Sequence, residues 1–329
     1  MSDCLVIGGG VIGLMSARML AITGAKVTLI DQRECGKESS WAGGGIISPL
    51  YPWHYDDLTN DLSFESQAVY EGLCDDLYHS SGIDPQYQKS GLLMMDEFET
   101  VEAQAWMRRY QVSYEDHVNG ALFTHVASVR NPKLLQALQV DIISKGVTIV
   151  ENTPVDKLII NNNKVLGVNT TKGDFFADNI VACAGAWSGK LLDIKDDVFP
   201  IKGQMILLKA QIGDVEHIIL DQGRYIIPRA DGRILVGSTM ENVGFDRSLD
   251  ETIKLSLYEF ASDRFPVLSS AEIEHHWSGF RPASRSGKVI LGKSEKYDNL
   301  FINTGHFRNG LNMAPASADK ITQLVNENT

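Results

Sequence analysis

The apolar run at residues 4–7 passes directly into Gly8-Gly9-Gly10, and apolar residues then recur at helical spacing over 11–22. A continuous apolar run bounded by glycine reads as a buried strand, and the 3.6-residue period as a helix. Gly24 marks a helix stop, and 26–30 reads as a second strand. The same criteria predict further helices at 58–79, 97–110, 133–145, 250–265 and 312–325. Strands are predicted at 91–95, 119–129, 147–150, 156–160, 165–170, from 175, and at 179–183. After Phe199 the pattern changes. Short strands at 205–210, 217–220, 225–228 and 234–237 are separated by turn residues, which suggests an antiparallel sheet. Strands at 276–280, 288–291 and 299–303 follow.

Alternating strands and helices at both ends and in the middle imply one doubly wound unit, interrupted twice. The expected fold class is α/β: a discontinuous Rossmann-like domain plus an α+β substrate domain with an antiparallel sheet. The expected boundaries are 1–80, 126–200 and 281–329 for the first, and 81–125 and 201–280 for the second. There is no internal repeat.

Composition narrows the function classes. The 329 residues are 43% hydrophobic and 22% charged, as in ordinary globular proteins. A net charge of −12 argues against nucleic acid or an anionic membrane as partner. The four cysteines form no C-x-x-C pair and no metal-ligand spacing, which fits a reducing compartment and no metal. The N-terminal apolar run is a fold strand rather than a signal peptide, and no run is long enough to span a bilayer. A cytoplasmic location is expected.

The chemistry begins at Gly8-x-Gly10-x-x-Gly13, the dinucleotide-binding fingerprint. Gly8 permits the tight turn, Gly10 lets a pyrophosphate approach, and Gly13 lets helix and strand close up. Asp31 follows the second strand, where an acid can bind a ribose hydroxyl. The fingerprint alone suits NAD or FAD. A second glycine turn, Gly43-Gly44-Gly45, follows Glu38, Ser39, Ser40 and Trp41; it would admit a flat ligand or be a flexible loop. A third small-residue turn, Ala184-Gly185-Ala186-Trp187, follows a predicted strand.

Polar candidates are Tyr225, Arg229, Arg281, His306 and Arg308. Arg281 lies in the apolar stretch Trp277-Ser278-Gly279-Phe280, followed by Pro282, which is expected to stop the strand. Burying a guanidinium without an anion is costly, and its fork suits a carboxylate. An internal salt bridge would answer the same cost, and the same alternative holds for Arg308. Tyr225 fits either a core or a pocket. No Ser/His/Asp set and no carboxylate pair stands out, as expected where a bound cofactor carries the electrons.

In combination, 6–13, 39–45, 184–187, 222–229, 235–240, 279–282 and 305–310 resemble the D-amino-acid-oxidase-type FAD-dependent oxidoreductases, most closely the glycine oxidases of thiamine biosynthesis. The resemblance runs from Cys4 to about Leu324. It implies non-covalent FAD, since no cysteine lies near 305–310. It places Gly8, Gly10, Val11, Ile12 and Gly13 at the pyrophosphate, and Asp31 and Gln32 at the ribose. Glu38, Ser39, Ser40, Gly43, Gly44 and Gly45 would run along the cofactor, with Val155 at the adenine. Ala184, Gly185 and Trp187 would adjoin it. His306, Phe307, Arg308, Asn309, Gly310, Leu311 and Asn312 would lie beside the flavin.

By the same resemblance, Arg281 would clamp a substrate carboxylate with Tyr225 and Arg308, and Met240 would wall the pocket. No catalytic side chain beyond the flavin is implied. The implied reaction is oxidative deamination of glycine, sarcosine or D-alanine, with hydride passing to the flavin and dioxygen as acceptor. The imine would feed thiazole formation. The alternative is a D-amino-acid or N-methyl-amino-acid dehydrogenase with a quinone acceptor. A flavin-binding protein without amine chemistry is a third reading. A homo-oligomer is compatible with all of these. Two departures are Ala283, where relatives often have glycine, and an early end after the closing helix.

Overall fold

In the computed structural model, which describes residues 2–192 and 198–328, the strand Ser2–Ile7 lies inside a parallel sheet. Gly173–Ala182 pairs on one side of it and Val27–Ile30 on the other. Thr148–Val150 extends the sheet beyond Val27–Ile30, and Leu300–Thr304 extends it beyond Gly173–Ala182. Ile290–Lys293 closes that edge antiparallel.

Both faces are covered, which is why these strands read as unbroken apolar runs. Cys4, Val6, Val27 and Leu29 pack in one core cluster with Leu14, Leu138, Ile142 and Ile321. These belong to the helices Val11–Ile22, Asn131–Ser144 and Gly310–Glu327. Leu5, Ile7 and Ile30 pack on the other face with Val165, Val168 and Ile180. That face is covered by the meander Val155–Asn161, Lys164–Thr170 and Gly173–Ala182.

The second sheet runs, in spatial order, Glu272–Ser284, Val198–Lys209, Ile234–Gly237, Arg224–Pro228, Ile218–Asp221, Leu92–Met94, Gly120–Phe123 and Glu115–His117. All neighbours are antiparallel except Ile218–Asp221 on Leu92–Met94. Among the described residues, no helix is long and apolar enough to cross a membrane.

Several predicted elements change. The stretch 119–129 is two strands: Gly120–Phe123 joins the second sheet, and Ala127–Ser128 pairs with Ile46–Ile47 in a separate ribbon. A turn closed by the Val126 amide on the Phe123 carbonyl separates them. The helix expected from 97 starts at Val101, because the Thr100 hydroxyl caps it by accepting the Ala103 amide at 3.1 Å. The two strands expected around 175 and 179 are one, Gly173–Ala182, which changes partner along its length.

The largest change concerns 276–280, which is part of the longer strand Glu272–Ser284. Pro282 does not stop it, because this strand is at the sheet edge, where an outward position needs no N–H. The Pro282 carbonyl accepts the Phe307 amide at 2.9 Å, which ties the 305–310 turn to the strand. Ala283 lies in the same strand, where a Cβ is accommodated, so its departure from glycine carries no backbone cost. The strand runs through position 281, so Arg281 sits within it rather than after its end.

Candidate active site

The site is a cleft between the two sheets. Its cofactor side starts at the fingerprint. Gly8 has φ +108°, and a Cβ there would stand 2.3 Å from the Cys183 carbonyl oxygen. A Cβ on Gly13 would stand 1.8 Å from the Gly8 carbonyl oxygen. Strand, turn and helix therefore close up as the spacing requires. The helix begins after Gly10 without a side-chain cap, and Gly10, Val11 and Ile12 line the cleft. Its positive dipole end is thus available to a pyrophosphate. The Ser40 hydroxyl accepts the Val11 amide at 2.9 Å and so couples the turn to the 39–45 segment.

That segment is packed rather than loose. A Cβ on Gly44 would meet Ile227 Cδ1 at 2.7 Å, and one on Gly45 the Val129 carbonyl oxygen at 2.1 Å. The buried Arg229 holds it from behind, donating to the Val129 carbonyl at 3.0 Å and the Gly44 carbonyl at 2.8 Å. Burial brings the Arg229 pKa down to about 10. Arg229 is therefore a strut of the glycine turn. The Ser39 hydroxyl donates to the Phe280 carbonyl, joining the turn to the strand that carries Arg281.

The opposite side of the cleft is one sheet face with few side chains. Gly203 pairs with Gly279, and Gly237 pairs with both Met205 and Tyr225. Arg281 lies over Gly203, where a Cβ would stand 2.3 Å from Nη2. It donates to Ser238 Oγ at 2.7 Å and to the Thr239 carbonyl at 3.0 Å. Tyr225 is both core and lining: 6% exposed, with its hydroxyl 3.6 Å from Met205 Sδ. Arg308 Nη2 is buried without a hydrogen-bond partner. Among the described residues, neither Arg281 nor Arg308 has a carboxylate within 4.0 Å. The internal salt bridge is therefore not the answer to their burial. Burial lowers the Arg281 pKa, Tyr225 acts against that, and Arg308 adds to it. Two guanidiniums that line one cleft and repel each other favour a bound anion.

His306 is buried with Nε2 at 3.3 Å from Ser317 Oγ; burial pushes its pKa down to about 3, so the ring is neutral. Asn131 Oδ1 and Asn303 Oδ1 are also buried without partners, and both residues line the cleft. Buried polar atoms are normally satisfied, so orphans on one cleft mark where a ligand completes the set. The helix N-terminus at Gly10, the glycine turn and these orphans fit a flavin dinucleotide.

Of the residues singled out from sequence, Gly10, Val11, Ile12, Ser39, Ser40, Gly43, Gly44, Gly45, Gly185, Tyr225, Arg281, His306, Phe307, Arg308, Asn309, Gly310 and Leu311 share the cleft. Others stand outside its lining. Asp31 accepts the Gly9 amide at 2.6 Å and the Arg33 amide at 2.7 Å; burial outweighs these and raises its pKa. Gln32 follows it, outside the lining. Glu38 is engaged by Arg247 at 2.9 and 3.0 Å. Trp187 stacks on Phe245 at 4.9 Å, with Ala184 before it, and Val155 opens the meander. Asn312 lies behind the cleft, accepting from the Ser63 hydroxyl at 2.9 Å.

Met240 corrects an expectation. It is 61% exposed and does not line the cleft. Thr239 and Glu241 turn inward to hydrogen-bond one another and Gln204, so the residue between them faces outward. Sequence reasoning missed Gly203, Gly279, Met205, Asn131 and Asn303, all in the lining. A lone glycine within a strand was the available signal for the first two, since it marks close approach.

The comparisons agree with this geometry. A family model described as "FAD dependent oxidoreductase" matches residues 3–324. Glycine oxidases of Pseudomonas aeruginosa and Pseudomonas putida are 39% and 40% identical, covering 98% of this chain and 94% and 93% of theirs. The crystal structure of the Bacillus cereus glycine oxidase superposes with a TM-score of 0.92 at 29% identity, covering 100% of this chain and 96% of that one. The chain therefore belongs to the DAO family of FAD-dependent oxidoreductases, and it is an FAD-dependent amine oxidase of the glycine oxidase type.

Proposed function

We propose that the chain oxidises glycine, and with it sarcosine and D-alanine, using dioxygen as acceptor and releasing an imine that serves thiazole formation for thiamine. The observation that carries this is the pair of carboxylate-free guanidiniums, Arg281 and Arg308, on the cleft that also receives the fingerprint helix. When bound, FAD supplies the two-electron acceptor for the hydride.

The chain's own residues bind and orient. Arg281 keeps donors free after its bonds to Ser238 and Thr239, and Arg308 offers Nη2; together they hold the substrate carboxylate. Tyr225 and Met205 form the floor beside it, and the bare Gly203–Gly279 row gives a small substrate close access. His306 stays neutral and adds no charge near the flavin. No side chain is assigned as general base, so the amine reacts in its unprotonated form. In this reading 1–80, 126–200 and 281–329 carry the cofactor and 81–125 and 201–280 the substrate, with Arg281 on their seam.

The test is anaerobic titration of the flavin-loaded protein with glycine, sarcosine and D-alanine. Bleaching of the flavin absorbance is the expected result, and no bleaching with any of the three overturns the reading. Stoichiometric peroxide on readmitting air supports dioxygen; electron transfer to a quinone without peroxide assigns the dehydrogenase chemistry instead.

A further inference from the structure

Arg281 has an unusual support. Gly203 lies beneath it, so no side chain there props the guanidinium. Its direction rests on Ser238 Oγ at 2.7 Å and the Thr239 carbonyl at 3.0 Å, both on the short turn after Ile234–Gly237, with Tyr225 as a further partner. What fixes that turn fixes two of the bonds that aim the guanidinium.

A buried polar network fixes it. The Thr239 hydroxyl accepts the Gln204 amide at 2.9 Å and donates to Glu241 Oε1. The Gln204 side-chain amide donates to both Glu241 oxygens, at 3.0 and 3.1 Å, and its carbonyl accepts the Asp250 amide at 3.0 Å. Lys202 Nζ stands 3.2 Å from Glu241 Oε2 and donates to the Ser248 carbonyl at 3.0 Å. Lys202 is 3% exposed and Gln204 is fully buried. The main chains of Lys202 and Glu241 also bond reciprocally, both at 2.9 Å. The network therefore joins strand Val198–Lys209, the 238–241 turn and the start of helix Glu251–Arg264.

Its charge arrangement matters as well as its geometry. Burial opposes ionisation of Glu241, but hydrogen bonds from Thr239, Gln204 and Lys202 together hold its pKa below the usual carboxylate range. The carboxylate is thus held in its charged form by Thr239, Gln204 and Lys202 together.

We propose that Glu241, held by Lys202 and Gln204, is the positioning residue that aims Arg281 at a substrate carboxylate, acting through Thr239. This rests on the functional reading of Arg281 given above. It predicts a shared path: Thr239→Val breaks the link to Glu241 while leaving the main-chain carbonyl that Arg281 uses. Each of Glu241→Gln and Thr239→Val should weaken carboxylate binding about tenfold, the scale of one charge-assisted hydrogen bond. The double variant should lose little more than either single one, because both act on one path.

The experiment uses the FAD-loaded full chain and titrates acetate by its perturbation of the flavin spectrum. FAD content, thermal unfolding and the KM and kcat for glycine are measured on the same preparations. The expected result is a rise in acetate Kd and glycine KM that exceeds the fall in kcat, with FAD content retained. Wild-type acetate affinity in both single variants overturns the inference. So does a fully additive loss in the double variant, or a loss matched by FAD release. If wild-type protein binds neither acetate nor glycine, the functional reading fails and takes this inference with it; if wild-type binds both and the variants are unchanged, the inference alone fails.

Discussion

The Arg281 guanidinium lies across Gly203, and a Cβ on that glycine would stand 2.3 Å from Nη2, 2.4 Å from Nη1 and 2.5 Å from Cζ. The colliding atoms are the far end of a flexible side chain, not backbone. Gly203→Ala should therefore leave strand Val198–Lys209 intact and displace the guanidinium instead. The expected outcome is a folded, FAD-loaded protein whose KM for glycine rises about tenfold or more, a cost near 1.4 kcal/mol. Steady-state kinetics with a flavin absorbance spectrum checks both halves.

Arg281 and Arg308 should not be equivalent to lysine. Arg281 divides its donors between Ser238, Thr239 and the cleft, which a single ammonium cannot do at those angles. Arg281→Met is expected to lose about 100-fold or more in kcat/KM for glycine, within the usual range for truncating one partner of a buried charge pair. Arg281→Lys should recover part of that loss, and Arg308→Met should act mainly on KM. An Arg281→Lys variant with wild-type kcat/KM would remove the forked clamp from the account.

The half of the molecule built on the parallel sheet was legible because its signals are local. Gly8 and Gly13 are set by contacts within one strand–turn–helix unit, and strands buried on both faces show as plain apolar runs. The seam was not legible, because it depends on register between distant strands. Nothing near Gly203 says that it will face Gly279, or that Arg281 will cover it. Pro282 read as a strand end, since whether a strand lies at an edge is a property of the sheet and not of the segment. Met240 failed for a related reason: the inward pull on Thr239 and Glu241 comes from Gln204 and Lys202 on another strand.

Gly13 gives a prediction that reads out without turnover. Its Cβ would stand 1.8 Å from the Gly8 carbonyl oxygen, which is backbone and cannot swing away. Gly13→Val must push the helix Val11–Ile22 off the strand and carry its first turn away from the cleft. The expected outcome is a protein purified largely without FAD and not restored by added FAD at concentrations that saturate the wild type. The ratio of flavin to protein absorbance measures it, and full occupancy would show that the close approach at Gly13 is dispensable.

His306 sets a pH dependence of stability. Burial lowers its pKa from 6.5 to about 3, and its Nε2 stands 3.3 Å from Ser317 Oγ. Between those values the unfolded chain binds a proton that the folded chain refuses. Stability from this group is therefore fully present above pH 6.5 and is lost as pH falls toward 3, by up to about 1.4 kcal/mol per pH unit. His306→Gln removes the titration while keeping a polar group facing Ser317. The variant should start less stable at neutral pH, yet lose less on going from pH 7 to about pH 4.5. Urea unfolding across that range measures both slopes. Equal slopes in wild type and variant would mean that His306 takes up its proton as readily in the folded as in the unfolded state, and a ring held neutral on the cleft over that range would have to be abandoned.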